Sequence, residues 1–136
     1  MLSINEHLVN LNYAGKKMIL KEINKIVHKY GVMMSLVRGA IFRIGLANSC
    51  GSIEVGKSLQ VRGKKHIYCF GTLKIQHRNR IEAYDSHRGV LYSPKIIFKN
   101  GVTMENDCHI GAVNYVEIGN NVLLASRVYI SDHSHG

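Results

Sequence analysis

Val116-Glu117-Ile118-Gly119-Asn120-Asn121-Val122-Leu123-Leu124-Ala125-Ser126-Arg127-Val128-Tyr129-Ile130-Ser131-Asp132-His133-Ser134-His135-Gly136 closes the chain, and its reading decides the fold. Val116, Val122 and Val128 stand six residues apart, and Ile118, Leu124 and Ile130 repeat that step two positions later. A helix repeats its apolar residues every three to four positions and a half-buried strand every second one, so a sustained period of six belongs to neither. It fits a coil of short flat faces. One aliphatic residue per face points to the axis, and a polar or glycine corner turns the chain before the next face.

Toward the N-terminus, Ile96, Val102 and Cys108 keep the same step, as do Phe98, Met104 and Ile110. The two runs are offset by eight between Cys108 and Val116, which predicts a two-residue bulge or small loop within residues 111–115. Further upstream, Ile53-Glu54-Val55-Gly56-Lys57, Leu59-Gln60-Val61-Arg62-Gly63 and Leu73-Lys74-Ile75 read as short strands separated by corners. Before about residue 49 the period becomes helical. Ser3-Ile4-Asn5-Glu6 has the capping-box pattern, and Ile19, Ile23, Ile26, Val27 and Tyr30 recur at helical spacing. Lys17, Lys21, Lys25 and Lys29 form a basic row on the opposite face, and Gly31 stands where a left-handed C-terminal cap is expected. The expected organisation is a basic amphipathic helical segment over 1–48 and a parallel β-coil over 49–136.

Apolar residues make up 46% of the 136, enough for one domain with a core. Three cysteines without a C-x-x-C pair support neither a disulfide framework nor structural zinc, and point to a reducing, cytoplasmic setting. The longest apolar stretch, 31–46, is interrupted by Arg38 and Arg43 and falls short of a bilayer span. The net charge of +9 is concentrated upstream: residues 1–48 carry seven Lys/Arg against two acids, 49–95 nine against three, and 96–136 two against four. No helix-turn-helix, zinc-finger or aromatic-interleaved basic pattern accompanies it, so nucleic acid is not the expected partner. An anionic membrane surface or a phosphate-rich ligand fits the charge better; for the lysine row itself the first expectation is a helix packed on the body of the protein with its lysines in water, and the second is binding to anionic lipid.

The stretch 116–136, with Ile81-Glu82-Ala83-Tyr84, Pro94-Lys95-Ile96-Ile97 and Cys108-His109-Ile110-Gly111-Ala112, resembles the hexapeptide-repeat acyltransferases. More narrowly it is similar to the maltose-acetyltransferase-like group that includes capsule and lipopolysaccharide O-acetyltransferases. The resemblance covers roughly 49–136. It implies a mainly β fold, a left-handed parallel β-helix, assembled as a homotrimer and acting on a sugar or glycan acceptor with acetyl-CoA as acyl donor. Relatives continue for several coils that supply most of the coenzyme A groove, so no cofactor-binding residue is assigned ahead of Gly136 and the chain reads as cut short.

In that family a histidine a few residues past the aliphatic pair of a late coil deprotonates the acceptor hydroxyl. The carry-over places this base on His135, with His133 second. A sugar hydroxyl is a poor nucleophile near neutral pH, and a neutral imidazole can take its proton as it attacks a thioester carbonyl. Acceptor contacts from the preceding coil map to Asn106 and Asn114, with Asp132 as a further polar candidate that can orient an imidazole. Strand alternation, however, turns Asp132 away from both histidines. His7, His28, His66, His77 and His87 follow no ligand spacing and are expected to be exposed; His109 is expected to point outward beside an inward Cys108. Two alternatives remain at this level: a β-helical carbonic anhydrase with zinc on His109, His133 and His135, and an inactive β-helix acting only as an oligomerisation or binding module.

Overall fold

The structure is a computed structural model that describes residues 12–134, so the capping-box stretch at Ser3 to Glu6, His7 and His135 lie outside the described residues. The chain divides into two compact units, Met1–Met34 and Ser35–Gly136. Helix α1 (Tyr13–Arg43) begins where the Asn12 side chain accepts the Gly15 amide, an N-cap contact of 2.9 Å. In the first unit its lysines and its apolar residues Met18, Leu20, Ile23, Ile26, Val27 and Tyr30 are all exposed.

The helix does not stop at Gly31. Val32, Met33, Met34, Leu36 and Val37 continue the helical pattern, and an interior glycine costs only about 1 kcal/mol. The left-handed glycine that ends it is Gly45, with φ 87°, flanked by Ile44 and Leu46 amides donating to the Ile41 and Arg43 carbonyls.

In the second unit the last turns of α1 are fixed by three contacts. Gly39 lies directly on the Ile53 carbonyl, where any Cβ would collide. Phe42 is buried in the core, and Arg38 donates to the Val55 carbonyl at 2.8 Å.

Twelve short strands then form three parallel four-stranded sheets. The first contains β1 (Asn48–Cys50), β4 (Ile67–Phe70), β9 (Lys95–Phe98) and β12 (Tyr115–Ile118). The second contains β2 (Ile53–Val55), β5 (Leu73–Ile75), β10 (Val102–Met104) and β13 (Leu123–Leu124). The third contains β3 (Gln60–Arg62), β6 (Arg80–Ala83), β11 (His109–Ala112) and β14 (Tyr129–Ser131). The chain therefore visits the sheets in fixed rotation, with each strand lying beside its counterpart of the round before. This mainly β arrangement with one N-terminal helix is consistent with a β-helix.

The register follows the expected period. Ile96 and Phe98 pair with Val116 and Ile118, Met104 with Leu124, and Ile110 with Ile130, twenty residues on in each case. Two-residue link Val113 and Asn114, between β11 and β12, is the bulge expected from the offset of eight. Inward residues Val102, Met104, Cys108 and Ile110 are fully buried, while Val122, Val128 and Ile130 of the last round are half-buried against the same core. One round is longer: Leu73 pairs with Val102 and Ile81 with Ile110, a step of twenty-nine. The extra residues form a hairpin between β7 (Ser86–His87) and β8 (Val90–Leu91). Its two-residue turn, Arg88-Gly89, has φ of 48° and 80°, both positive as a type I′ turn requires.

At the corner after the second sheet, one residue per round takes the left-handed conformation: Ser58, Arg78, Asp107 and Arg127 at φ 57–66°. The amides of the last three donate to the carbonyls of Lys57, His77 and Asn106 one round below, so the ladder offsets the cost of a side chain at positive φ.

Because Val122 faces the core and Arg127 faces water, Val122→Asp should lower stability by about 1–3 kcal/mol, while Arg127→Gln should change it by less than about 0.5 kcal/mol. Thermal unfolding of the two variants checks this; equal midpoints would contradict the register.

Candidate functional site

The corner between the third sheet and the first is where the rounds differ. In the first round it is closed by Gly63 and a 3-10 turn, Lys64–His66. In the second it carries the β7–β8 hairpin, in the third the link at Val113 and Asn114, and in the fourth the turn that follows β14. These loops enclose a cavity of about 580 Å³, lined by Arg62, Tyr84, His87, Arg88, Tyr92, Val113, His133 and Ser134.

Asp132 organises the last two loops. Its Oδ1 accepts the Val113 amide at 2.9 Å, and its Oδ2 accepts those of Asn114 and Tyr115 at 2.7 and 2.6 Å. One carboxylate thus gathers three successive amides, a nest in which negative charge is favoured. Burial pushes the carboxyl pKa up, but the amides and His133 more than offset this and hold it below the ordinary aspartate value.

The same Oδ1 lies 3.1 Å from His133 Nδ1. Ser131 Oγ also lies 3.0 Å from that nitrogen and donates to the His133 carbonyl at 2.8 Å. An ionised carboxylate can only accept, so Nδ1 carries the proton and Nε2 is the basic nitrogen of the neutral ring. The imidazole is 18% exposed at the cavity wall, edge-on to Tyr84 with ring centres 6.0 Å apart. Gly111 lies beneath it: a Cβ there would sit 3.4 Å from His133 Cε1, so a larger side chain would displace the ring.

A second polar cluster sits below it, on the second and third rounds. Glu82, 8% exposed, accepts the Tyr84 hydroxyl at 2.6 Å, and lies 3.0 Å from both Arg80 Nε and His109 Nε2. Burial raises the Glu82 carboxyl, and hydrogen bonds from Tyr84, Arg80 and His109 outweigh it, leaving the pKa low. The Tyr84 hydroxyl is pushed up, first by burial and then by its bond to Glu82. Tyr84 is thereby locked against the cavity.

Of the residues singled out from sequence, His133, Asp132 and Asn114 come together at this corner. Asn114 contributes its backbone amide and its residue is exposed. Asp132 does not turn away from the histidine: β14 ends at Ser131, so alternation no longer governs the next residue. Asn106 lies at a different corner, where its Oδ1 accepts the His77 amide at 3.0 Å. His28 and His87 are exposed as expected, but His66 and His77 are half-buried: His66 lies 3.5 Å from Asp85, and His77 Nδ1 accepts the Lys57 amide. His109 faces outward onto Glu82 and Tyr129. Among the described residues no group of three or more His, Cys, Asp or Glu is placed to hold a metal, and no helix is long and apolar enough to cross a membrane.

The Glu82 cluster was missed in the sequence. Ile81-Glu82-Ala83-Tyr84 marks the place, but the contact to His109 depends on the step of twenty-nine.

No protein-family model and no solved structure matches the chain. Among known proteins, 57 of its residues are 37% identical to the Escherichia coli (strain K12) protein named "Putative lipopolysaccharide biosynthesis O-acetyl transferase WbbJ". The match takes in 42% of this chain and only 26% of that protein.

Proposed function

We propose that this protein is an acyltransferase of the left-handed β-helix class, an O-acetyltransferase that moves an acetyl group from acetyl-CoA to a sugar hydroxyl of a surface polysaccharide or its precursor. The observation that carries the reading is the Asp132–His133 pair at the wall of a cavity, where a carboxylate holds Nδ1 of the imidazole. The partial similarity to an O-acetyl transferase supports the same class.

In this mechanism the acceptor oxygen attacks the thioester carbonyl carbon as its proton passes to His133 Nε2. The carbon–sulfur bond then breaks, and the imidazolium returns the proton to the departing thiolate. Asp132 is a positioning residue: it fixes the tautomer and stabilises the imidazolium. The base is placed here on His133, whose surroundings support the role; His135, the other histidine of the motif, lies outside the described residues. The proposed assembly is a homotrimer. The test is acetyl-CoA-dependent acetylation of a sugar acceptor by the full chain, followed as thioester loss; binding of acetyl-CoA without any turnover would sink the reading.

We further propose that the first unit attaches to an anionic membrane at its cytoplasmic face. Its support is the lysine row of α1 beside exposed Met18, Ile23, Ile26 and Val27. A lysine near an anionic surface contributes about 1 kcal/mol, so changing Lys17, Lys21, Lys25 and Lys29 to Gln should release the protein from phosphatidylglycerol vesicles at low salt. Unchanged co-sedimentation would remove the idea.

A further inference from the structure

We infer that the acceptor is anionic: the cavity beside His133 is built to take a sugar that carries a phosphate or carboxylate substituent. The inference rests on the acyltransferase reading and goes beyond it by naming the acceptor's charge.

The lining supplies two guanidinium groups, Arg62 and Arg88, and the imidazole of His87 beside that of His133, and among the described residues it contains no carboxylate. Among the described residues, every acid near the cavity is already engaged. Asp132 is tied to three amides and His133. Glu82 is tied to Tyr84, Arg80 and His109. Asp85, at the base of the hairpin, pairs with Lys65 at 2.8 Å and His66 at 3.5 Å.

Neither Arg62 nor Arg88 has a carboxylate partner among the described residues. Arg62 instead lies over the Tyr84 ring, 4.9 Å from its centre, and the His133 ring approaches the same tyrosine at 6.0 Å. The guanidinium and the base are therefore separated by little more than one aromatic ring. Arg88 is presented at the hairpin tip by the left-handed turn that β7 and β8 require. Two unneutralised guanidinium forks facing one cavity match the planar, two-oxygen geometry of carboxylate and phosphate.

The donor is the competing source of negative charge. In acetyl-CoA, however, the phosphates are removed from the thioester by the whole pantetheine arm, while Arg62 sits next to the base that must touch the reacting hydroxyl. The cations therefore fall to the acceptor. A neutral hexose would leave both guanidinium groups without a counter-charge, whereas an oxyanion a few bonds from the hydroxyl would orient it toward Nε2.

The test measures binding of glucose 1-phosphate, glucuronate and neutral methyl glucoside to the full chain, alongside coenzyme A. The proteins compared are the parent and the double variant Arg62→Gln, Arg88→Gln. Both arginines are exposed, and matched melting temperatures establish that the variant folds. At least one anionic sugar should bind on the order of tenfold more tightly than methyl glucoside, with the preference lost in the double variant and coenzyme A affinity unchanged. The stronger of the two anionic sugars tells phosphate from carboxylate.

Equal binding of all three sugars, no binding of either anionic one, or a preference that survives the double substitution would overturn the proposal. So would a loss confined to coenzyme A, which would give the cations to the donor's phosphates. Failure of the acyltransferase reading looks different: charge preference would persist while none of the three sugars is acetylated.

Discussion

His133→Ala is expected to lower turnover by about a hundredfold to ten-thousandfold while leaving acetyl-CoA binding nearly unchanged, because a positioned general base contributes on that order and touches only the reacting hydroxyl. Chemistry and binding should separate. His135→Ala should act more weakly. Gly111→Val should mimic part of the loss, since its side chain would press on His133 Cε1 without removing the base. A reversed ranking, with His135→Ala inactive and His133→Ala near normal, would move the base two residues along the loop. Full activity in both would end the histidine mechanism.

What could be read from the residues alone divides along a physical line. Buried positions of a β-coil repeat because each face must present the same small volume to the axis. A period of six therefore placed Val102, Met104, Cys108 and Ile110 inside, and an offset of eight placed the Val113–Asn114 link. Contacts across the outer faces carry no such constraint. Whether His109 meets Glu82 depends on the register between two rounds, and the hairpin sets that register by adding nine residues to a step of twenty. The cavity itself is made by the same insertion, whose Arg88-Gly89 turn is a hairpin signal only once the flanking strands are known.

Two local rules misled. Gly31 suggested a cap, yet the cost of an interior glycine is small beside the hydrogen bonds gained by continuing the helix to Arg43. Alternation suggested that Asp132 turns away from the histidines, yet the strand stops one residue earlier. The Asp132–His133 contact is a property of the turn, and a turn's conformation is decided by the three amides of the neighbouring round that Asp132 accepts.

Those amides make Asp132→Ala the second variant with a large expected effect. Removing the carboxylate strips the acceptor from Val113, Asn114 and Tyr115 and the orienting group from His133. Stability should fall by about 1–3 kcal/mol, the usual cost of losing hydrogen bonds to a charged acceptor where water can partly replace it. Turnover should fall by roughly tenfold to a hundredfold through the lost tautomer, with acetyl-CoA binding intact.

The pH dependence has a definite sign. The folded carboxyl titrates below its unfolded value, since the amide bonds and His133 outweigh the opposing effect of burial. Near and below an unfolded pKa of about 3.9, the unfolded chain then binds more protons than the folded one. The stabilisation is therefore complete above that value and is lost as pH falls through the lower, folded one. Urea unfolding of parent and variant from neutral pH into this acid range should show the gap between them narrowing as the carboxylate is protonated. A gap that stays constant down to acid pH would mean that the negative charge on Asp132 does not hold the two loops together, and would leave His133 without its anchor in the mechanism.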